Sequence, residues 1–162
     1  MSEAIIIPRI IIERIKKEAE KLGVSIEEYI IELISQNLNP KNRAREYIEA
    51  AKELLIQSRK ELEEGNIRQA AEKAWGASAL AVKAYALLRE GRRLSSHGEL
   101  WEYSKILASE FGDWVFDAWA HANSMHTCFY EGWCTDKHVE RALRVIEKLI
   151  ISISERVLSG LR

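Results

Sequence analysis

The side chains best suited to chemistry lie in one stretch, residues 121–135, which reads HANSMHTCFYEGWCT. It contains His121 and His126, and a pair of histidines can cleave RNA by acting as general acid and general base. Residues five apart on an α-helix differ in direction by about 140°. The two histidines would therefore meet only across two chains or through a kink, and catalysis by this pair is the first of three interpretations of the stretch.

The second interpretation is a polar, non-catalytic pocket around His126. Asn123, His126 and Tyr130 share one helical face at spacings i, i+3 and i+7, and an amide, an imidazole and a phenol suit a hydrogen-bonded pocket. Trp119 adds an apolar wall on the same side, and Glu131 places a carboxylate beside the histidine at the end of the helix. In the third interpretation both histidines are structural residues whose hydrogen bonds are satisfied.

The cysteines of this stretch, Cys128 and Cys134, raise the question of a metal site. Cys134 and His138 are four residues apart, and zinc prefers sulfur and nitrogen ligands of this kind. The sequence contains no CxxC or HExxH pattern, however, so we expect neither a metal nor a cofactor. Two cysteines do not make a disulfide framework, and free thiols indicate a reducing, cytoplasmic compartment.

A basic loop at residues 91–96, GRRLSS, is a candidate anion-binding site. Arg92 and Arg93 lie just before Ser95, Ser96 and His97, and Ser96 is placed to cap the helix that follows. Backbone N–H groups at a helix start and nearby guanidinium groups bind phosphate together. The alternative is a solvated basic turn that contributes only to solubility.

Size and charge limit the possible partners. The chain has 162 residues and a net charge of −1, so no global field draws it to nucleic acid or to a membrane surface. No apolar run reaches the roughly 20 residues of a membrane span. We therefore expect no membrane association, and any phosphate binding must depend on a local patch.

The elements that position these residues are predicted to be one short strand followed by helices. Residues 4–7, AIII, form a β-branched run ended by Pro8, which predicts an edge strand. Glycines are sparse beyond this point, and the spacing of apolar residues favours helices. The Asn39-Pro40 pair marks a boundary between the first two helices and the rest of the chain.

We assign residues 1–38 to an N-terminal arm and residues 39–162 to an all-α antiparallel bundle of about five helices. The helix that follows Gly65-Asn66 is rich in alanine. Small side chains let helices approach closely, so we place this helix at the centre of the bundle.

The order strand, helix, turn, helix over residues 4–38 resembles the ribbon-helix-helix fold, whose dimers pair their strands. A single strand cannot satisfy its own backbone hydrogen bonds. The resemblance therefore implies a homodimer or a higher even oligomer formed through the N-terminal strand. DNA-binding members of that fold present polar side chains from the strand, but Ala4 to Ile7 offers none, so sequence-specific DNA binding is not expected.

Four phrases in the bundle resemble the archaeal PaREP family: AREYIEAAKELL, QAAEKAWGASALAVKAYAL, GRRLSSHGELWEY and MHTCFYEGW. That family is essentially uncharacterised, so the resemblance implies a fold more than a function. It is similar in turn to the HEPN group of helical bundles. Many HEPN proteins are ribonucleases or toxin components, and others bind nucleotides without catalysis.

The catalytic motif of HEPN proteins is an arginine followed five positions later by a histidine. His126 matches the histidine, but His121 stands at the arginine position and Ala122 where a polar residue is usual. Arginine is a permanent, forked phosphate clamp, whereas histidine is largely uncharged at neutral pH. The resemblance and this departure together predict a non-catalytic nucleotide- or RNA-binding module. The alternatives are a structural or interaction protein of toxin-antitoxin type and a divergent, metal-independent ribonuclease using His126.

Overall fold

The computed structural model describes residues 3–161, and within them it contains seven α-helices and no strand. The prediction of an all-α bundle is therefore confirmed. None of the seven helices is both long enough and apolar enough to cross a membrane. The helices are α1 (Arg9–Leu22), α2 (Ile26–Ile34), α3 (Pro40–Glu63), α4 (Ile67–Glu90), α5 (His97–Phe111), α6 (Trp114–Glu131) and α7 (Asp136–Gly160).

The N-terminal arm differs from its prediction. The prediction of a strand at residues 4–7 is wrong for this chain, because residues 3–8 have no regular secondary structure and α1 begins directly after Pro8. A lone strand has no partner for its backbone groups within one chain. The described residues form seven helices in all, of which α1 and α2 precede Pro40, and α2 packs against α3 and α4. The division of the chain into two domains at residue 38 remains a prediction.

Helix α4 lies at the centre of the bundle. Every residue from Ala74 to Leu87 is buried, and the helix contacts α2, α3, α5, α6 and α7. Seven of the fourteen positions in this segment are alanine or glycine. Small side chains on all sides of a helix allow several neighbours to approach its axis at once. This explains why the alanine-rich sequence occupies the centre, as predicted.

The helix ends follow local sequence signals. Gly23 ends α1 in the left-handed conformation with a φ of 66°. Ser25 caps α2, because its side chain accepts a hydrogen bond from the Glu28 N–H at 3.1 Å. At the start of α5, Ser96 caps the helix as predicted, and together with Glu99 it forms a complete capping box.

A glycine inside α4 sets how closely α2 can approach. A Cβ atom at Gly76 would lie only 2.7 Å from the Ser25 hydroxyl oxygen. Glycine inside a helix costs ~1 kcal/mol relative to alanine. Here it makes room for the capped start of α2, so the arm lies directly against the central helix.

A buried charge cluster fixes α2 on α4. The Lys83 ammonium lies 2.5 Å from a carboxylate oxygen of Glu28 and 2.5 Å from one of Glu32, and all three residues are buried. Burial raises the pKa of the Glu28 carboxyl group, although the Lys83 charge opposes this. For Lys83, burial disfavours the charged form, but the Glu28 and Glu32 carboxylates outweigh it and raise the pKa. Lys83 therefore remains a cation held between two acidic side chains of the arm.

We expect Lys83→Met to lower the free energy of unfolding by roughly 3–5 kcal/mol, because it leaves two buried carboxylates without a cation. Urea unfolding followed by circular dichroism measures this change. Lys137→Met is the matched control, since the Lys137 side chain is 78% exposed and also contacts a glutamate, Glu140, at 3.4 Å. The control should change the free energy by less than ~0.5 kcal/mol. Equal losses in the two variants would contradict the anchoring role of Lys83.

Candidate functional site

The two histidines of the 121–135 stretch lie on different sides of α6. His126 is turned toward α4, where it contacts Glu72 and Trp75. His121 lines a depression between α6 and α7 together with His138. Within one chain the two imidazoles therefore do not converge, as their five-residue spacing predicts.

His126 belongs to a cluster of rings, which we call the inner cluster: Trp75, His97, His126 and Tyr130. The centre of the His126 ring lies 5.0 Å from that of Trp75, 5.2 Å from that of His97 and 5.1 Å from that of Tyr130. The Nδ1 atom of His126 is 3.3 Å from a carboxylate oxygen of Glu72, and both side chains are largely buried. His126 is thus held in place by three aromatic neighbours and one carboxylate.

The surroundings of Glu72 make ionisation of its carboxyl group less favourable than in water. Burial raises the pKa of the Glu72 carboxyl group, and the hydrogen bond and charge of His126 oppose that rise only in part. The charges of Glu28 and Glu27 raise it further. Burial also raises the pKa of the Tyr130 phenol, and the Glu72 and Glu20 carboxylates add to this effect. The carboxylates of α2 therefore act on Glu72 of α4, and Glu20 of α1 acts with Glu72 on Tyr130.

A cavity of about 310 Å³ lies beside the inner cluster, between the arm and the bundle. Of the residues predicted to form a pocket, Tyr130 lines this cavity. Trp119 is fully buried and packs with its ring centre 5.4 Å from that of Trp75. Asn123 is partly buried and Glu131 is exposed, and neither lines the cavity.

Glu72 and Trp75 are the members of this site that the sequence analysis missed. The signal was available in Glu72, a charged residue within the alanine-rich segment predicted to be central. A buried charge needs a partner, so its position alone indicates a special environment. Its partner His126 lies 54 residues away, and no local pattern connects the two.

In the basic loop, a carboxylate of the same chain already accepts the backbone hydrogen bonds that were predicted to bind an anion. The backbone N–H groups of Ser95 and Ser96 donate to the Glu99 carboxylate at 2.6 and 3.1 Å, and the Ser95 hydroxyl donates to it at 3.1 Å. These bonds, chiefly those from Ser95, lower the pKa of the Glu99 carboxyl group. Arg92 lies 3.9 Å from the same carboxylate. An external anion at these donors would have to displace Glu99.

The other two predicted residues of this anion site, Arg93 and His97, do not lie together. Arg93 is exposed to solvent. The Nε2 atom of His97 lies 2.6 Å from the Gly23 carbonyl oxygen, so this ring links the start of α5 to the turn between α1 and α2. His97 thus belongs to the inner cluster and to the attachment of the arm.

The depression that contains His121, which we call the outer depression, has a volume of about 450 Å³. Trp133 flanks it with 45% of its surface exposed, and its ring centre is 5.8 Å from that of His138. Among the described residues, Arg141 has no acidic partner within 4 Å, while Lys137 pairs with Glu140. The lining residues are His121, Ser124, Met125, Trp133, Lys137, His138 and Arg141.

Cys128 and Cys134 are joined by a disulfide bond, so the expectation of free thiols is wrong for this structure. Their Cα atoms are 5.6 Å apart, a separation that is common for disulfides. Six residues of separation bring them together because α6 ends at Gly132 and the chain turns back before α7. The bond ties the last turn of α6 to the loop that carries Trp133.

The chain is an all-helical bundle with a central alanine-rich helix and a buried Glu–His pair beside an arm of two further helices. The chain belongs to the archaeal PaREP1/PaREP8 family, whose model matches residues 46–150. The resemblance to the PaREP family that the sequence predicts is therefore confirmed.

A solved structure supports the fold. The crystal structure of a protein from Sulfolobus solfataricus superimposes with a TM-score of 0.58 at 24% identity, and the match covers 70% of this chain and 97% of that one. At this level of identity the likeness concerns the fold alone. No curated protein matches the chain significantly. The resemblance to HEPN bundles remains a prediction.

We expect Glu72→Gln to stabilise the fold in a pH-dependent way. A folded-state pKa above the ordinary value means that wild type loses stability as pH rises from about 4.5 through the raised pKa, because the buried carboxyl group must then ionise. Glutamine does not titrate, so the variant should gain relative to wild type over that window. Below pH 4 the difference should be small and constant. Melting temperatures measured from pH 4 to pH 8 test this, and a pH-independent difference would contradict it.

Proposed function

We propose that the protein is a non-catalytic module that binds nucleotides or single-stranded RNA, and that the outer depression is its binding surface. The observation that carries this proposal is the exposed Trp133 indole on a depression that also holds Lys137 and Arg141. Proteins bind single strands by stacking bases on aromatic side chains and by placing cations along the phosphates. The outer depression offers both groups within one concave surface.

The charge of this surface is local, which suits a chain with a net charge of −1. Arg141 has no acidic partner among the described residues, so its guanidinium group is available to a phosphate. His121 and His138 add ring N–H groups at the same place. Ser124 adds a hydroxyl, although its hydrogen is donated to the Ala120 carbonyl oxygen at 3.0 Å.

The position of His126 supports binding without catalysis. Its ring is packed against Trp75, His97 and Tyr130, and its Nδ1 atom contacts Glu72, so little of it is available to an RNA strand. His121 lies at the outer depression without the arginine of the HEPN motif. The alternative, a ribonuclease that uses His126, would need a second chain or a movement of the inner cluster to bring the two histidines together.

We expect Trp133→Ala to weaken the binding of fluorescein-labelled single-stranded RNA at least about fivefold, because base stacking on an aromatic ring contributes ~1–3 kcal/mol. Arg141→Ala should weaken binding and reduce its dependence on salt. Fluorescence anisotropy at two salt concentrations measures both effects.

Trp101→Ala is the matched control, since Trp101 is 40% exposed but lies on α5, outside the outer depression. Equal binding by wild type, Trp133→Ala and Arg141→Ala would contradict the proposed surface. The same RNA should remain intact during the assay. Strong cleavage by wild type that disappears in His126→Ala would instead establish the ribonuclease alternative.

We also propose that the protein acts as a homodimer or a higher even oligomer through its N-terminal segment. Ile5, Ile6 and Ile10 are 85%, 97% and 78% exposed, and Ile11 is 47% exposed. Exposure of four neighbouring isoleucines to water is unfavourable, because each Å² of apolar surface left in water costs about 25 cal/mol of free energy. The same segment of a second copy has the matching chemistry to cover them, as in a two-fold symmetric interface.

Removing residues 1–8 should convert the oligomer to a monomer, because it deletes the most exposed of these isoleucines. Light scattering coupled to size exclusion gives the mass of both forms. Ile151→Ser provides a control, since this isoleucine is 46% exposed on α7 and its loss should leave the mass unchanged. A monomeric mass for the full chain would refute the proposal.

A further inference from the structure

The cavity beside the inner cluster has a composition unlike that of the outer depression. Its walls come from α1, the start of α2, α4 and the end of α6, so it lies at the junction of the arm and the bundle. Three carboxylates line it, those of Glu20, Glu27 and Glu72, while Lys16 is the one cation among its described lining residues. The cavity is therefore rich in acidic side chains, whereas the outer depression is rich in basic ones.

Glu72 provides the most buried of these carboxylates. The residue is 6% exposed, and one of its oxygens lies 3.3 Å from His126 Nδ1. Its other oxygen, Oε1, makes no hydrogen bond to the described residues, yet it is not sealed off from the cavity. Because Glu72 lines the cavity, a donor that enters the cavity can reach this oxygen. A ligand that brings an N–H donor and a positive charge would satisfy it.

The other two carboxylates lie toward the mouth of the cavity. Glu20 is exposed and has no lysine or arginine nitrogen within 4 Å among the described residues. Glu27 is partly buried and contacts Lys73 at 3.4 Å, so its charge is partly compensated by the chain. Negative charge therefore extends from the entrance to the buried Glu72, which favours a ligand with more than one positive centre.

The remaining wall is apolar and aromatic. Phe129 and Tyr130 stand edge to face with ring centres 5.1 Å apart, and Ala19 and Val24 complete the surface. Aromatic faces attract cations, and aliphatic walls suit a methylene chain. A bare metal ion fits less well, because the described residues bring together no group of three or more metal-ligating side chains.

We propose that this cavity binds an aliphatic amine with two positive centres, with one ammonium group on Glu72 and the other toward Glu20. The methylene chain lies along Ala19, Val24 and the rings of Phe129 and Tyr130. Alkyl ammonium groups have pKa values near that of lysine, about 10.4, so such a ligand carries its charges at neutral pH. Because the site is built from both the arm and the bundle, binding also holds these two parts together.

Isothermal titration of the full chain with 1,5-diaminopentane at constant ionic strength tests the proposal. The diamine should bind, whereas 1,5-pentanediol, which has the same length without charge, should not. Glu72→Gln should weaken diamine binding at least about tenfold, because a charge-assisted hydrogen bond is lost. Glu140→Gln, on an exposed carboxylate of α7 that contacts Lys137 and Arg144, should leave the affinity unchanged.

Glu20→Gln provides a second variant at the exposed rim, where a change does not disturb the core, and it should weaken binding as well. Absence of diamine binding, equal binding of the diol, or wild-type affinity in both variants would overturn the proposal. Trp133→Ala should retain the diamine affinity. Failure of RNA binding at the outer depression and failure of amine binding in this cavity are therefore separate outcomes.

Discussion

A helix enclosed on every side can carry a polar side chain only where another group satisfies it, and α4 is such a helix. Its buried side chains that carry a charge or a serine hydroxyl are few, and each has an identifiable partner. Ser78 donates to the Ala74 carbonyl oxygen of its own helix at 2.9 Å, Lys83 contacts two glutamates of α2, and Glu72 contacts His126 of α6. Polar groups on the central helix therefore mark the points where other parts of the molecule attach or where a ligand can act.

The arrangement of the arm follows from this constraint. Lys83 forms ion pairs that hold the glutamates of α2 against α4. Because Gly76 has no side chain, Ser25 can pack against the same surface of α4. His97 adds a link from α5 to the turn that ends α1. With α2 held there, α1 covers the side of α4 that bears Glu72, and a cavity remains between them. The buried ion pairs and the cavity are thus two results of one packing arrangement.

Sequence reasoning was most successful where the determining interaction is local. The turn at Gly23 and the capping box of Ser96 depend on residues within a few positions, and both were predictable. It was least successful where a partner lies far along the chain, as with Lys83, or where two residues compete for the same donors. The serines of the basic loop resemble an anion site, but Glu99 reaches back and occupies them. A local pattern shows which donors are present, but it does not show which acceptor binds them in the folded chain.

The disulfide between Cys128 and Cys134 closes a ring of seven residues that belongs to both candidate surfaces. Phe129 and Tyr130 in the ring line the cavity, and Trp133 flanks the outer depression. Arg68 holds the same ring from outside, because its guanidinium group donates to the carbonyl oxygens of Phe129 and Tyr130 at 2.8 and 3.1 Å. The disulfide and these two hydrogen bonds both restrain the backbone of this segment. Two chemically opposite surfaces therefore share one covalently closed segment, so a change in its backbone would reach both of them.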